Sequence, residues 1–215
     1  MDSILPFIAT YVLIAATVLV SLLAFNNEQV MDDLIFYPPA IGRGQWFRFF
    51  SNGFIHADYF HLIFNMYAFY GFGRFLELAF TQIFPGYGRI LYAVMYFAAL
   101  PICLLPTYLR NRHNHLYRSL GASGAVSAVL FACIMLIPGE GISLFFLPSI
   151  PGYVFGPLYL LVTSYLDRKG GGNINHSAHL WGALFGIAFV IVACELGGFP
   201  VLRNFVSQVQ QSMGR

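Results

Sequence analysis

Residues 119–139 read SLGASGAVSAVLFACIMLIPG, a run without a charge that opens on small and polar side chains and continues as an apolar stretch. It is long enough for a helix that crosses a bilayer, which needs about 20 residues. Hydrocarbon offers a hydroxyl no water, so a polar group left unpaired there costs free energy and needs a partner. Ser123 is such a group, and Gly121, Gly124, Ala125 and Ala128 beside it let a second backbone approach closely.

The rest of the 215-residue chain fits the same solvent. Hydrophobic residues make up 58% and charged residues 9%, against about 25% charged in a soluble domain, which leaves no room for a water-soluble monomer. Uncharged windows also cover Ser3–Asn27, Ile90–Leu109, Gly141–Leu166 and Gly170–Cys194. A sixth stretch, from His56 to about Leu78, is interrupted only by Asp58 and by Arg74 and Glu77, which at i,i+3 are expected to face each other near the headgroups. The predicted helices are Ile4–Phe25, Ile55–Leu78, Arg89–Leu109, Leu120–Ile137, Tyr153–Leu166 and Ser177–Leu196. The fold class is therefore an all-α membrane protein, a six-transmembrane-helix bundle forming one domain over residues 1–215.

The first segment lacks a basic n-region and a small-residue cleavage site, and reads as an anchor rather than a signal peptide. Asn26–Phe54, rich in aromatics and holding Pro38, Pro39, Gly42 and Gly44, is expected to fold on or into the interface; the connection before the last helix holds Gly170, Gly171 and Gly172. The tail after Gly197 reads as a short amphipathic piece. A net charge of +2 with no basic stripe excludes nucleic acid as a partner. Cys103, Cys133 and Cys194 lie in apolar windows without metal or disulfide spacing and read as packing residues.

Three polar clusters carry the chemistry. His56, His61 and Asn65 open the second helix, Gly121–Gly124 open the fourth, and His179 followed by Gly182 and Gly186 opens the sixth. Helices two, four and six run in one direction across the membrane, so the clusters share a depth on one side. Taken singly, a membrane serine bonds its own helix, a histidine anchors at the interface, and GxxxG is packing; together they place Ser123 against His179. Neutral His179 is then the base that makes the weak nucleophile Ser123 reactive. Glu195 lies sixteen residues from His179, roughly 24 Å along a helix, and Asp167 lies across a glycine-rich loop, so a Ser/His dyad is the simplest reading. The Ser123 backbone N–H, the Asn65 amide and the His56 imidazole are candidate oxyanion donors, with His61 in support. Zinc on His56, His61 and His179 is disfavoured because no carboxylate or thiolate sits at their depth.

At these residues the sequence resembles the rhomboid family of intramembrane serine proteases. Gly121-Ala122-Ser123-Gly124 matches its GxSG motif, His179 with Gly182 and Gly186 its AHxxGxxxG motif, and His61 with Asn65 its HxxxN motif. The resemblance implies Ser123 as nucleophile, His179 as general base and acid, and His56 and Asn65 as oxyanion-hole side chains. Arg48 resembles the arginine of the family's Trp-Arg loop motif, with the tryptophan displaced to Trp46; Gly73 and Glu77 match part of GxxxExxxG, with Thr81 at its last glycine. Ser127 stands where many members carry a tyrosine stacked on the catalytic histidine. The implied substrates are single-spanning membrane proteins whose helix unwinds, cut in or near the lipid bilayer without metal or organic cofactor. Basic residues number seven on the Ser123 side (Arg43, Arg48, Arg110, Arg112, Arg118, Arg168, Lys169) against Arg74, Arg89, Arg203 and Arg215. That count favours a cytoplasmic Ser123 face, whereas the resemblance implies an inner or plasma membrane with the active site opening to the extracytoplasmic side, the expectation adopted. A rhomboid-like pseudoprotease that binds or escorts membrane clients, and a small transporter, are the competing readings.

Overall fold

The stretch that opens on Ser123 becomes a helix, Ser123–Leu136, that is buried at every residue from Gly124 onward. A run apolar on all sides has no face to offer water and ends at the centre of a bundle. Around it, the computed structural model, which describes residues 6–143, 148–170 and 174–214, orders the other elements as follows. The chain begins with α1 (Ile8–Phe25), α2 (Glu28–Leu34), α3 (Pro38–Ile41), α4 (Arg48–Ser51) and a 3-10 turn (Asn52–Phe54). It continues through α5 (Tyr59–Ile83), α6 (Gly88–Asn111), the central α7 (Ser123–Leu136), α8 (Gly152–Lys169), α9 (His176–Leu196) and α10 (Val201–Ser212). A short antiparallel pair, β1 (Gly141–Ile142) and β2 (Ile150–Pro151), stands before α8. The predicted helix start at Ile4, the glycines Gly171 and Gly172, and Arg215 of the charge count lie outside the described residues.

Among the described residues, α1, α6 and α9 are long and apolar enough to cross a membrane. α5 and α8 carry more polar residues, and α7 is apolar but shorter, with 14 residues. Two boundaries move for physical reasons. α5 starts at Tyr59 and not at Ile55 because the Asp58 side chain accepts the His61 N–H at 2.7 Å and caps the helix. α7 starts at Ser123 and not at Leu120 because Gly121 has φ +114°, a left-handed conformation no right-handed helix contains.

The expected Arg74–Glu77 pair does not form. Glu77 is fully buried, and its carboxylate accepts from the Ala9 N–H (3.0 Å), the Thr10 N–H and hydroxyl (both 2.8 Å) and the Arg89 Nε–H (3.0 Å). The unpaired amides that open α1 carry partial positive charge and take an anion better than a neighbour on the same helix can. Arg74 instead donates to Tyr70 Oη at 2.8 Å and lies over the Phe7 and Tyr70 rings. Glu77 thus joins α5, α1 and α6. Replacing it with alanine strips the acceptor from the part-buried Ala9 amide and from the buried Thr10 amide and hydroxyl; Glu77→Ala is expected to lower stability by about 1–3 kcal/mol, read as a reduced Tm in detergent. An unchanged Tm contradicts the bracing role.

Candidate active site

The approach to Ser123 is held from below by the segment between α1 and α5. The buried Arg48 side chain donates from Nη1 to the Asp32 and Ile35 carbonyls (2.7 and 2.8 Å) and from Nε to Gln45 Oε1 (2.6 Å). Arg48 therefore organises this segment and does not reach the cavity described below. Asn52 Nδ2 donates to the Arg48 and Phe49 carbonyls, while its own carbonyl accepts the Gly121 N–H at 2.9 Å. Phe36 and Ser119 exchange backbone hydrogen bonds of 3.0 and 3.1 Å. Gly121 is required twice over, by its positive φ and because a Cβ there would stand 2.7 Å from His61 Cε1.

Backbone proximity then aligns the second half of the site. A Cβ on Gly182 would collide with the Gly124 carbonyl, and one on Gly186 with the Ala128 carbonyl, so α9 lies directly against α7. Asn175 starts α9 by accepting the Ala178 N–H (3.0 Å) and also accepts from the Thr107 hydroxyl (3.1 Å) on α6 and donates to Ser119 Oγ (3.3 Å). The outcome is a distance of 2.7 Å between His179 Nε2 and Ser123 Oγ. The two carboxylates weighed as a third member are engaged elsewhere: Asp167 with Arg110 at 2.8 Å, and Glu195 with the Leu202 N–H at 3.3 Å. Ser127 bonds Tyr159 Oη on α8 (2.9 Å), and the ring beside His179 is His176, edge-on with centroids 6.1 Å apart.

A cavity of about 480 Å³ opens over this pair, lined among others by His61, Phe64, Asn65, Gly121, Ser123 and His179. His56 does not line it. Of the two histidines it is thus His61 that reaches the cavity. His56 is fully buried in the extended stretch ahead of α5; Nε2 accepts the Ala122 N–H (3.4 Å) and Nδ1 faces Ser21 Oγ (3.0 Å), which donates onward to the Phe54 carbonyl (3.0 Å). Burial, then the neighbouring His61, push its pKa down to about 3, partly offset by Asp58, so it is neutral with its proton on Nδ1 by the logic of this network. No donor of His56 faces the cavity. His61 has the opposite arrangement: Nδ1 accepts the Ala57 N–H (3.5 Å), which assigns the proton to Nε2, beside Gly121. Asn65 spends one amide proton on the His61 carbonyl (2.9 Å), and a primary amide has two. As the first residue of α7, Ser123 has a backbone N–H with no acceptor within its helix. Among the described residues no group of three His, Cys, Asp or Glu is arranged to hold a metal.

Sequence reasoning missed Asn175 and Ser21. Asn175 carries the ordinary signal of a helix cap, an asparagine just ahead of an apolar run; Ser21 has no signal, because its partner is 35 residues away in the chain.

A helical membrane protein with a serine hydroxyl and an imidazole paired at the floor of a cavity is the class that fold and site define. The Rhomboid domain model matches residues 43–196, and the chain belongs to the rhomboid family. It is similar to the presenilin-associated rhomboid-like protein, mitochondrial, of Rattus norvegicus, with 32% identity over 148 residues, 66% of this chain and 37% of the relative. It is also similar to presenilin-associated rhomboid-like protein A, mitochondrial, of Danio rerio (31% over 150 residues, 67% and 37%). The RHOMBOID-like protein 12, mitochondrial, of Arabidopsis thaliana is 28% identical over 170 residues, 74% and 50%. The chain thus spans between 37% and 50% of the length of these relatives.

The two histidines are separable by stability. His56→Ala leaves the buried Ala122 N–H without an acceptor and is expected to cost about 1–3 kcal/mol, seen as a lowered Tm, whereas His61→Ala should leave Tm near that of the parent. The reverse order of the two Tm values overturns this assignment.

Proposed function

We propose that this protein is an intramembrane serine protease that cleaves peptide bonds of single-spanning membrane proteins through a Ser123/His179 dyad. The observation that carries the reading is the 2.7 Å approach of His179 Nε2 to Ser123 Oγ in a cavity within a bundle of the rhomboid family. Crossings by α1, α6, α7, α8 and α9 agree with the five uncharged windows, a sixth by α5 agrees with the interrupted stretch from His56, and exposed apolar side chains such as Val12, Leu19, Val94 and Val192 suit a lipid surround.

In the proposed reaction His179 Nε2 removes the Ser123 proton as Oγ attacks the scissile carbonyl, whose electron pair moves onto its oxygen. The donors suited to that oxyanion are the Ser123 backbone N–H, the second Asn65 amide proton and the His61 Nε2–H. As the oxyanion's electron pair returns and the C–N bond breaks, the imidazolium protonates the departing amine; water, deprotonated by His179, then attacks the acyl-enzyme, and the ester C–Oγ bond breaks as His179 returns the proton to Ser123 Oγ. A helical substrate hydrogen-bonds each of its carbonyls internally, so the segment to be cut has to unwind first. The hydrogen-bonded pair of Ser123 and His179 favours this reading over a pseudoprotease that only binds or escorts clients, because client binding requires no such pair. No metal or organic cofactor takes part in it.

The membrane reading is an inner or plasma membrane with the Ser123 end opening to the extracytoplasmic side. Burial of Arg48 among backbone carbonyls takes one charge out of the count, which still stands at six against four, so this orientation is carried by the family resemblance.

A fluorophosphonate probe should label Ser123 in the parent protein and fail in Ser123→Ala. Both Ser123→Ala and His179→Ala should abolish cleavage of a transmembrane substrate, with no further loss in the double variant, while His61→Ala or Asn65→Ala should lower kcat by about 10²- to 10³-fold. Near-parental turnover in either dyad variant refutes the mechanism. For orientation, a cysteine placed at the exposed His113, in a background without Cys103, Cys133 and Cys194, should react with a membrane-impermeant maleimide in intact cells. Labelling only after lysis reverses the topology.

A further inference from the structure

The helix after the last crossing has more apolar surface than the bundle uses. α10 faces inward with Val201, fully buried, with Phe205, packed on the core, with Gln208, whose Nε2 donates to the Leu136 carbonyl at 2.9 Å, and with Ser212 beside Gly139. These contacts hold it at the end of α7 opposite Ser123. One residue further round, about 100° on a helix, runs a second apolar stripe of Leu202, Val206, Val209 and Met213. Leu202, Val206 and Met213 in that stripe are exposed. The third face is polar, with Arg203, Ser207, Gln210 and Gln211, and the helix contains no acidic residue.

A helix with two adjoining apolar stripes and a wet third side can be covered by protein on one stripe and by lipid on the other. Its position supports lipid. α9, which is long and apolar enough to cross the membrane, ends at Leu196, and the Leu202 N–H folds back onto Glu195 Oε1 at 3.3 Å. The exposed stripe therefore begins near the depth where α9 ends, and Val192 and Leu196 on the last turns of that helix are exposed as well. With Arg203 as its only charge, α10 also suits the phosphates of headgroups.

We propose that α10 lies in the bilayer interface at the end of the bundle opposite Ser123, with Leu202, Val206 and Met213 in the acyl boundary and the Arg203–Gln210 side toward water. The inference rests on the membrane-spanning reading above, and the test separates the two. An environment-sensitive fluorophore is attached to single cysteines at Val206, Ser207 or Leu19 in the full chain, where Cys103, Cys133 and Cys194 are buried, and the protein is reconstituted into phosphatidylcholine–phosphatidylglycerol vesicles. The Val206 probe should emit at shorter wavelength than the Ser207 probe and be quenched by lipids with a shallow nitroxide, while aqueous iodide quenches the Ser207 probe. The Leu19 probe, on α1, should be quenched by lipids with a deep nitroxide. If Leu19 behaves so but Val206 is as open to iodide as Ser207, α10 stands in water and the proposal fails alone. Shielding of Val206 from both iodide and lipid means that a protein surface, such as a second copy, covers the stripe, which also overturns it. Loss of lipid quenching at Leu19 removes the spanning reading and this inference together.

Discussion

The contact between the backbones of α7 and α9 is the constraint on which the rest depends. Gly182 and Gly186 sit where any Cβ would strike the Gly124 and Ala128 carbonyls, so the two helices touch along their main chains. Lipid is as apolar as a leucine side chain and gives no hydrophobic drive to join helices; close van der Waals contact between small residues supplies it instead. The same contact sets the distance between the first residue of α7 and the fourth of α9, and so brings His179 Nε2 to 2.7 Å from Ser123 Oγ. Chemistry and packing are one geometric requirement here.

A second requirement follows from placing polar groups inside a bundle. Such groups take partners, and several of these come from distant parts of the chain. Ser21 of α1 holds His56, which in turn accepts the amide of Ala122 just before Ser123. Glu77 of α5 meets the first amides of α1. Arg48 holds the carbonyls of Asp32 and Ile35, and Asn175 joins α6, Ser119 and α9. These links are what keep the irregular segments on either side of Ser123 in place, because their backbones lack a ladder of their own. The outcome is a hydrogen-bonded frame around the cavity, within which Ser123 and His179 face each other.

The division between the two histidines shows how partners assign a role. Two imidazoles stand with ring centroids 4.9 Å apart, identical in chemistry. One gives its Nε2 lone pair to Ala122 and is consumed by structure; the other accepts at Nδ1 and presents a proton beside Gly121. A neutral ring can donate from only one nitrogen, so whichever amide it accepts decides where its donor faces.

Much of this was legible without coordinates, since it depends on spacing along single helices. The uncharged windows locate α1, α6, α7, α8 and α9, and the positions of Ser123, His179, Gly182 and Gly186 near the starts of alternate helices bring the serine and the imidazole to one depth. His61 and Asn65 share a helix face by their i,i+4 separation and both line the cavity. What spacing cannot determine is which partner wins when several compete. The choice of Glu77 for α1 and Arg89 over Arg74 is set by the position of another helix's N-terminus, and the proton on His61 rather than His56 facing the cavity is set by Ser21, Ala57 and Ala122. The sequence by itself determined the helices and their small-residue faces, because those follow from local periodicity and transfer into lipid. Only the tertiary structure decided the hydrogen-bond partners, because a buried donor takes whichever acceptor the packing brings within 3 Å or so, and packing is a property of the whole chain.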